Sequence, residues 1–469
     1  MLFLSVFLIS FITFLRTINN FPLRNWDEAW YAEIIKNMAN GHYGFLVPFW
    51  NGHYYFDKPP LYFWLSLPFF KFFGPGEWQA RIISAIAAVL ATLLVYLIAK
   101  KLFNTTCALI SVLVFLTLGQ VVIRFAHGNL EALLVCLFLA SFYFYLLSEK
   151  SRLFAVLTGI TIGLGFLTKG WFLGLFPALL ITIYGSAITR KLPINLRLIV
   201  TSTIISSGWW YALGTIKFGQ PFVDWYVLNP GGGLLTSPLQ SFSLTYFKDL
   251  LTDIGFWFVL LGIFIVLHLR GVRAHLGGVT DVNDKKILYA FGFTTLVFIL
   301  PLNFLSEKLG WYNLPAYPLV AIVIGYLASK LFETKPKITA FLIVIVTVAQ
   351  IYNVNRIENI YPDRSRVGSE LGKHAKQIIP PEDTIILDDH DFTSFLYYSD
   401  HKNVYVVQTG GGKPGEWWVL DYSDLPQFVE NKTKTWIITP NINNLPHNIG
   451  SLKTEDQYKG YTFISFSST

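Results

Sequence analysis

Cysteine is nearly absent from this chain: its two examples, Cys107 and Cys136, fall inside apolar runs of a 469-residue sequence. That excludes a disulfide framework and a thiolate metal site and leaves both as small hydrophobes. No HExxH or HxxxH spacing joins the 9 histidines, so no helical zinc motif is present. Charge is scarce as well, with 14% Asp, Glu, Lys and Arg against 53% hydrophobic and 17% aromatic residues. The mean hydropathy is +0.48. This balance lies outside the range of soluble globular proteins and points to a polytopic α-helical membrane protein. The net charge of +7 is scattered in short clusters between apolar runs, so nucleic acid is not an expected partner.

A membrane-crossing helix needs about 20 apolar residues, and that ruler finds about eleven candidate spans. They lie at 1–18, 80–99, 104–122, 130–148, 153–169, 171–189, 196–216, 248–269, 286–305, 309–329 and 338–354. The opening MLFLSVFLISFITFL has no basic flank and no small-residue cleavage site, so it reads as a retained first span. Alternate connections carry Lys100 and Lys101; Lys150 and Arg152; Arg190, Lys191 and Arg197; Arg270, Arg273, Lys285 and Lys286; and Lys330, Lys335 and Lys337. The positive-inside rule puts these on the cytoplasmic side of the cell (inner or plasma) membrane, with the N-terminus inside and the C-terminal tail outside. The other connections are then extracytoplasmic. They hold acids and lone lysines beside Trp and Tyr, as in RNWDEAWYAEI, DKPP, RFAHGNLEA, TKGW, QPFVDWYVLNPGGG and SEKLGWYNLP.

After about residue 355 the texture changes to a soluble α/β pattern. TIILDD, NVYVVQT, EWWVLD and TWIITP read as short strands, with RSRVGSELGKHAKQI and SDLPQFVENK as helices between them. The expected architecture is a membrane domain over 1–354, including an outer first loop at 19–79, followed by a small extracytoplasmic α/β domain over 355–469. TGGGKPG lacks phosphate-loop spacing and reads as a turn.

Several residues carry possible chemistry. Asp27 and Glu28 open a helical stretch, DEAWYAEIIKNMANG, with Gly41 as its C-cap. Asp27 reads either as the N-cap of that helix or as a general base held near the membrane surface. Lys58 precedes Pro59 and Pro60, which delay any helix until Leu61. It reads either as a snorkelling lysine or as a cation placed for a lipid phosphate at the start of the interfacial stretch LYFWLSLPFF. Glu131 at a span end, four residues after His127 and close to Arg124, is an ionisable group of the kind that marks function in membrane proteins. Lys169 and Lys308 each read either as the polar apex of a tight hairpin or as a cation directed into an outward cleft, and with Lys58 on the same face the three suggest one anionic ligand.

These motifs resemble a known family. WDEAWYAEIIKNMANGHYGFLVPFWNGHYYFDKPPLYFWL, with GEWQARIISA, GNLEALL, GFLTKG and EKLGWYNLPAYPLVA after it, closely resembles the GT-C membrane glycosyltransferases. Within that group it is similar to the protein O-mannosyltransferase and aminoarabinose transferase superfamily. The resemblance implies the GT-C fold and an inverting transferase. Such an enzyme moves a sugar from a polyprenyl phosphate carrier to an acceptor hydroxyl of a glycan, lipid or protein outside the cytoplasm, amid membrane lipids. It implies Asp27 as the catalytic acid-base, with Glu28 beside it and Glu131 at the second acidic site. Lys58, Lys169, Lys308 and Arg81 are implied for the donor phosphate, and Tyr31, Asp57, Tyr62, Asn129 and Tyr312 for the substrate cleft. Some relatives place a histidine in the late outer loop that shares a metal with an acid beside the first-loop lysine. Here the loop reads SPLQSFS, so Asp57 lacks that partner; no cofactor is required, and a divalent metal stays an open alternative without an assigned ligand set. Gly231, Gly232 and Gly233 suggest a mobile loop or plain flexibility. A transporter or lipid-linked sugar flippase is the rival reading, and the absence of a convincing internal repeat counts against it.

Overall fold

The computed structural model describes residues 2–15, 18–19, 21–41, 44–188, 195–228, 241–269, 282–305, 308–360, 365–389, 392–412, 416–430, 432, 434–446, 449 and 452–467. The triple glycine at 231–233 and most of SPLQSFS lie outside the described residues. The chain forms two compact units, one of residues 1–18, 56–65 and 81–361 and the other of residues 19–55, 66–80 and 362–469. The second unit therefore combines most of the first loop with the C-terminal tail, across the sequence division at 354/355.

The first unit is helical. Among the described residues, six helices are long and apolar enough to cross a membrane, or up to seven if one bent pair counts as a span. The sequence ruler expects more because it counts apolar runs, whereas the backbone shortens or breaks several of them. The runs at 1–18 and 130–148 form helices of 14 and 17 residues, Leu2–Leu15 and Glu131–Leu147. The run at 104–122 divides into Thr105–Phe115 and Gly119–Phe125, bent by 67°.

Polar side chains hold that bend. Gln350 Nε2 donates to the carbonyls of Thr117, at 3.1 Å, and Asp253, at 2.8 Å. Trp257 Nε1 donates to Thr117 Oγ1 at 2.9 Å, and the Tyr317 hydroxyl donates to the Asp253 carboxylate. Gly119 is needed for this approach, since a Cβ there would lie 2.6 Å from Asp253 Oδ1. The break thus satisfies backbone groups that water cannot reach. It also turns the chain into Arg124, His127, Asn129 and Glu131.

Close packing of small residues sets the next helix. In Arg152–Lys169, a Cβ on Gly159 would lie 2.2 Å from the Ile199 carbonyl oxygen, and one on Gly163 2.8 Å from that of Thr203. The GxxxG spacing lets this helix meet Leu196–Phe218 backbone to backbone. Thr203 Oγ1 adds a 3.0 Å hydrogen bond to the Gly159 carbonyl. Lys169 is the last residue of the first of these helices.

In the second unit, β1 (Phe49–Trp50) and β2 (His53–Tyr54) form an antiparallel hairpin. Its turn is Asn51-Gly52, with φ of 45° and 81°, the residue pair that a two-residue hairpin with positive φ prefers. The tail supplies a six-stranded sheet of β3 (Thr384–Leu387), β4 (Val404–Val407), β5 (Val419–Leu420), β6 (Lys434–Thr439), β7 (Lys453–Tyr458) and β8 (Tyr461–Ser467). Its order is β5-β4-β3-β6-β8-β7, parallel from β5 to β6 and antiparallel beyond. The four strands read from sequence are the parallel ones. β7 and β8 escape that reading because KTEDQY in β7 is mostly exposed and polar.

The first loop is fastened to this sheet by reciprocal bonds. Asn51 Nδ2 donates to the Val404 carbonyl at 2.7 Å, and the Val404 N–H returns a bond to Asn51 Oδ1 at 3.3 Å. Trp50 packs edge-on against Trp418 at 4.8 Å between ring centroids and stacks on Trp30 at 4.6 Å. Such aromatic pairs contribute about 0.5–1.5 kcal/mol beyond the area they bury.

Candidate active site

The helix Asp27–Ala39 presents the first acidic pair. Trp26, not Asp27, occupies the N-cap, with φ 65° and no side-chain cap bond, so the capping reading of Asp27 is corrected. A bulky residue at positive φ costs free energy unless its surroundings hold it. Here the Trp26 N–H donates to Thr393 Oγ1 at 2.5 Å, and the Ser394 N–H donates to Asn25 Oδ1 at 2.9 Å. Asp27 is thereby left in the first helical turn, where a carboxylate is favoured by the helix dipole. The Tyr31 hydroxyl lies 3.4 Å from Asp27 Oδ1.

Glu28 is buried, and its carboxylate accepts the Arg24 backbone N–H at 2.7 Å. The two acids thus differ in surroundings, with Glu28 closing the turn that leads into the helix. At the other end Gly41 has φ 77°, and its N–H donates to the Met38 carbonyl at 3.2 Å. That is the geometry glycine permits just beyond a helix C-terminus.

In the helical unit, Lys58 Nζ lies 2.6 Å from Asp57 Oδ1, and both side chains are 18% exposed. The helix starts at Leu61, directly after the two prolines. The Tyr62 hydroxyl is 3.1 Å from Ser84 Oγ. Ser84 Oγ in turn donates to the Asn129 carbonyl at 2.8 Å and accepts the Asn129 N–H at 3.0 Å. Asn129 Nδ2 donates to the Arg124 carbonyl at 2.7 Å, and its Oδ1 accepts the Glu131 N–H at 3.3 Å. One buried serine therefore ties the helix after DKPP to the loop that precedes Glu131.

Glu131 and Lys169 form an ion pair of 2.5 Å with both side chains 5% exposed, and Lys169 Nζ lies 4.9 Å from the centroid of the Tyr312 ring. The neighbouring Trp311 ring carries the Arg124 guanidinium at 3.5 Å. Consecutive aromatics of one loop therefore seat two cations. Lys308 Nζ donates to the Leu305 carbonyl at 2.7 Å. Arg81 is buried and donates from Nη1 to the Ile18 carbonyl at 3.2 Å. The structure thus joins Tyr62 with Asn129 and Glu131, and Glu131 with Lys169 and Tyr312, and gives each of the three lysines its own local partner.

Three contributors were not singled out from sequence as site residues: Ser84, Trp171 and Tyr226. Ser84 sits in GEWQARIISA and Trp171 in TKGW, both already conspicuous as motifs. Tyr226, whose hydroxyl donates to the Lys58 carbonyl at 3.3 Å, sits in VDWYVL, where no spacing announces that contact.

The family model for dolichyl-phosphate-mannose-protein mannosyltransferase matches residues 57–211, from Asp57 through Lys169 and beyond. An uncharacterized protein of Aquifex aeolicus is 25% identical over 431 residues, covering 87% of this chain and 96% of that protein. The undecaprenyl phosphate-alpha-4-amino-4-deoxy-L-arabinose arabinosyl transferase of Pseudomonas savastanoi is 33% identical over 160 residues, covering 33% of this chain and 30% of that enzyme. The alignment thus spans under a third of that named transferase. Among solved structures, ArnT from Cupriavidus metallidurans bound to undecaprenyl phosphate matches with a TM-score of 0.74 at 16% identity, over 99% of this chain and 97% of that one. The Archaeoglobus fulgidus oligosaccharyltransferase matches with a TM-score of 0.58 at 14% identity, over 93% and 69%.

Proposed function

Because the chain belongs to the ArnT-like and protein mannosyltransferase superfamily of GT-C-fold glycosyltransferases, we propose that it is a multi-pass membrane enzyme. It moves a sugar from a polyprenyl phosphate carrier to an acceptor hydroxyl on the extracytoplasmic side. The carrying observation is that the family match begins at Asp57-Lys58, where the structure holds a partly exposed ammonium at a proline-fixed helix start.

In this reading Asp27 takes the proton of the acceptor hydroxyl as its oxygen bonds to the anomeric carbon. The bond from that carbon to the carrier phosphate breaks on the opposite side, inverting the configuration, and the phosphate leaves with the electron pair. Lys58 stabilises the charge that grows there by exchanging its Asp57 contact for the phosphate. Glu131 serves chiefly to hold Lys169, whose ammonium its carboxylate already engages at 2.5 Å. Glu28 shapes the entry to the Asp27 helix. The N-terminus is cytoplasmic and the sheet-bearing tail extracytoplasmic, as the distribution of lysine and arginine supports.

Reconstitution in liposomes with undecaprenyl-phosphate-linked sugars tests this reading. Asp27→Asn should lower turnover about 10²–10⁴-fold, the range of a general base, while retaining undecaprenyl phosphate. Lys58→Ala should weaken retention of that lipid in native mass spectrometry. Failure of the wild type to retain undecaprenyl phosphate, under conditions that preserve other lipids, would sink the proposal.

A further inference from the structure

Between Leu196–Phe218 and the outer segment that follows, the chain makes a π-helical turn, Val223–Leu228. Single π-helical turns are rare and are found frequently at functional sites. This one is held on both sides. Tyr226 is buried, packed at 4.9 Å from Trp210 and 4.8 Å from Phe222 between ring centroids. Its hydroxyl donates to the Lys58 carbonyl at 3.3 Å. One buried phenol therefore holds the backbone of Lys58, directly after Asp57.

The second tie runs to the other lysine. Trp171 Nε1 donates to the Val227 carbonyl at 3.0 Å, satisfying one of the acceptors that the end of a helical turn leaves open. Trp171 follows Gly170, whose φ of 85° sets the corner directly after Lys169. Through two adjacent residues, the turn grips the backbone at Lys58 and the corner beside Lys169. Neither contact uses a lysine ammonium, so the turn can orient the cations without competing for their ligand.

We propose that Tyr226 and Trp171 are positioning residues for donor binding, which make the Asp57-Lys58 corner and the Lys169 corner one preorganised mount for the carrier phosphate. This inference rests on the transferase reading above for the identity of that phosphate. Preorganisation favours binding by reducing the ordering that the ligand must impose. The net contribution of one hydrogen bond, about 1 kcal/mol, corresponds to roughly a fivefold change in affinity.

The test uses the purified full chain, with undecaprenyl phosphate as probe and phosphate-free undecaprenol as control. Tyr226→Phe keeps the ring and removes the hydroxyl; Trp171→Phe keeps an aromatic ring and removes the indole N–H. Each should weaken undecaprenyl phosphate binding about three- to tenfold and leave undecaprenol unaffected. Tyr226→Phe should have no further effect in a Lys58→Ala background, the non-additivity expected of residues that act through one group. Wild-type affinity in both variants, or the same loss from Tyr226→Phe with and without Lys58, overturns the inference and leaves the transferase reading standing. No undecaprenyl phosphate binding by the wild type overturns both.

Discussion

Lys169 Nζ lies 2.5 Å from Glu131 Oε1, and both side chains are 5% exposed. The helix carrying Glu131 opens at that residue, and the helix carrying Lys169 ends there. The pair therefore joins the start of one apolar helix to the end of the next, where each charge has the other as its compensation. Taking two charges from water is costly, and the mutual attraction offsets that cost only while both are present.

Removing one member is accordingly worse than removing both. Lys169→Met alone should destabilise the protein by about 3–5 kcal/mol, because the Glu131 carboxylate stays buried without its partner. Combining it with Glu131→Gln should restore more than half of the lost thermal stability in detergent without restoring transfer activity. Equal melting of the single and double variants would show that the pair does not act as a unit.

Part of this site was legible in the residues themselves. Lys58 stands out because two prolines follow it, and the helix does begin at Leu61 as they require. Asp27 stands out by its place before an apolar-periodic stretch, though its capping reading fails because Trp26 takes the N-cap, held by the distant Thr393. The four parallel strands of the tail are β-branched and apolar, hence visible, whereas β7 is polar and is recruited by pairing with β8. The bend near Thr117 was invisible in a continuous apolar run, since Asp253 and Gln350, which hold it, come from far along the chain. Tyr226 was hidden for the same reason: its hydroxyl meets a backbone carbonyl, and such an acceptor has no sequence signature.

The shared unit of first loop and tail changes what truncation should do. Asn51 exchanges two hydrogen bonds with Val404, Trp50 packs on Trp418, and the Trp26 N–H uses Thr393. Deleting residues 362–469 would leave these groups unpaired and the Trp30 and Trp50 rings uncovered. The truncated chain should insert in membranes, become protease-sensitive within 19–55, and lose more than about 100-fold in activity, consistent with the general-base share of the rate. Retained activity with a changed acceptor preference would instead make the tail a selectivity module independent of the Asp27 helix.

The same helix has a pH-dependent anchor. Lys36 Nζ lies 2.6 Å from Glu33 Oε2 and 3.0 Å from Asp400 Oδ1, and it donates to the Tyr397 carbonyl at 3.2 Å. Lys376 contacts the other Asp400 oxygen at 2.9 Å. Burial alone would raise the Asp400 pKa, but the Lys36 charge and the hydrogen bonds from Lys376 and Lys36 outweigh it and hold the carboxyl below its ordinary 3.8. Glu33 is shifted the opposite way, upward, because its burial outweighs the nearby Lys36. A carboxyl with a lowered folded-state pKa stabilises the fold fully above its unfolded pKa and loses that contribution as pH falls through the folded one. Asp400→Asn should therefore lower the melting temperature near neutral pH, and the gap to wild type should close as pH drops below the ordinary carboxylate range. Because the Asp400 charge is one cause of the upward shift of Glu33, the comparison is made in a Glu33→Gln background. A gap that persists unchanged in acid would mean that Asp400 acts through shape or neutral hydrogen bonding instead of through its charge on Lys36.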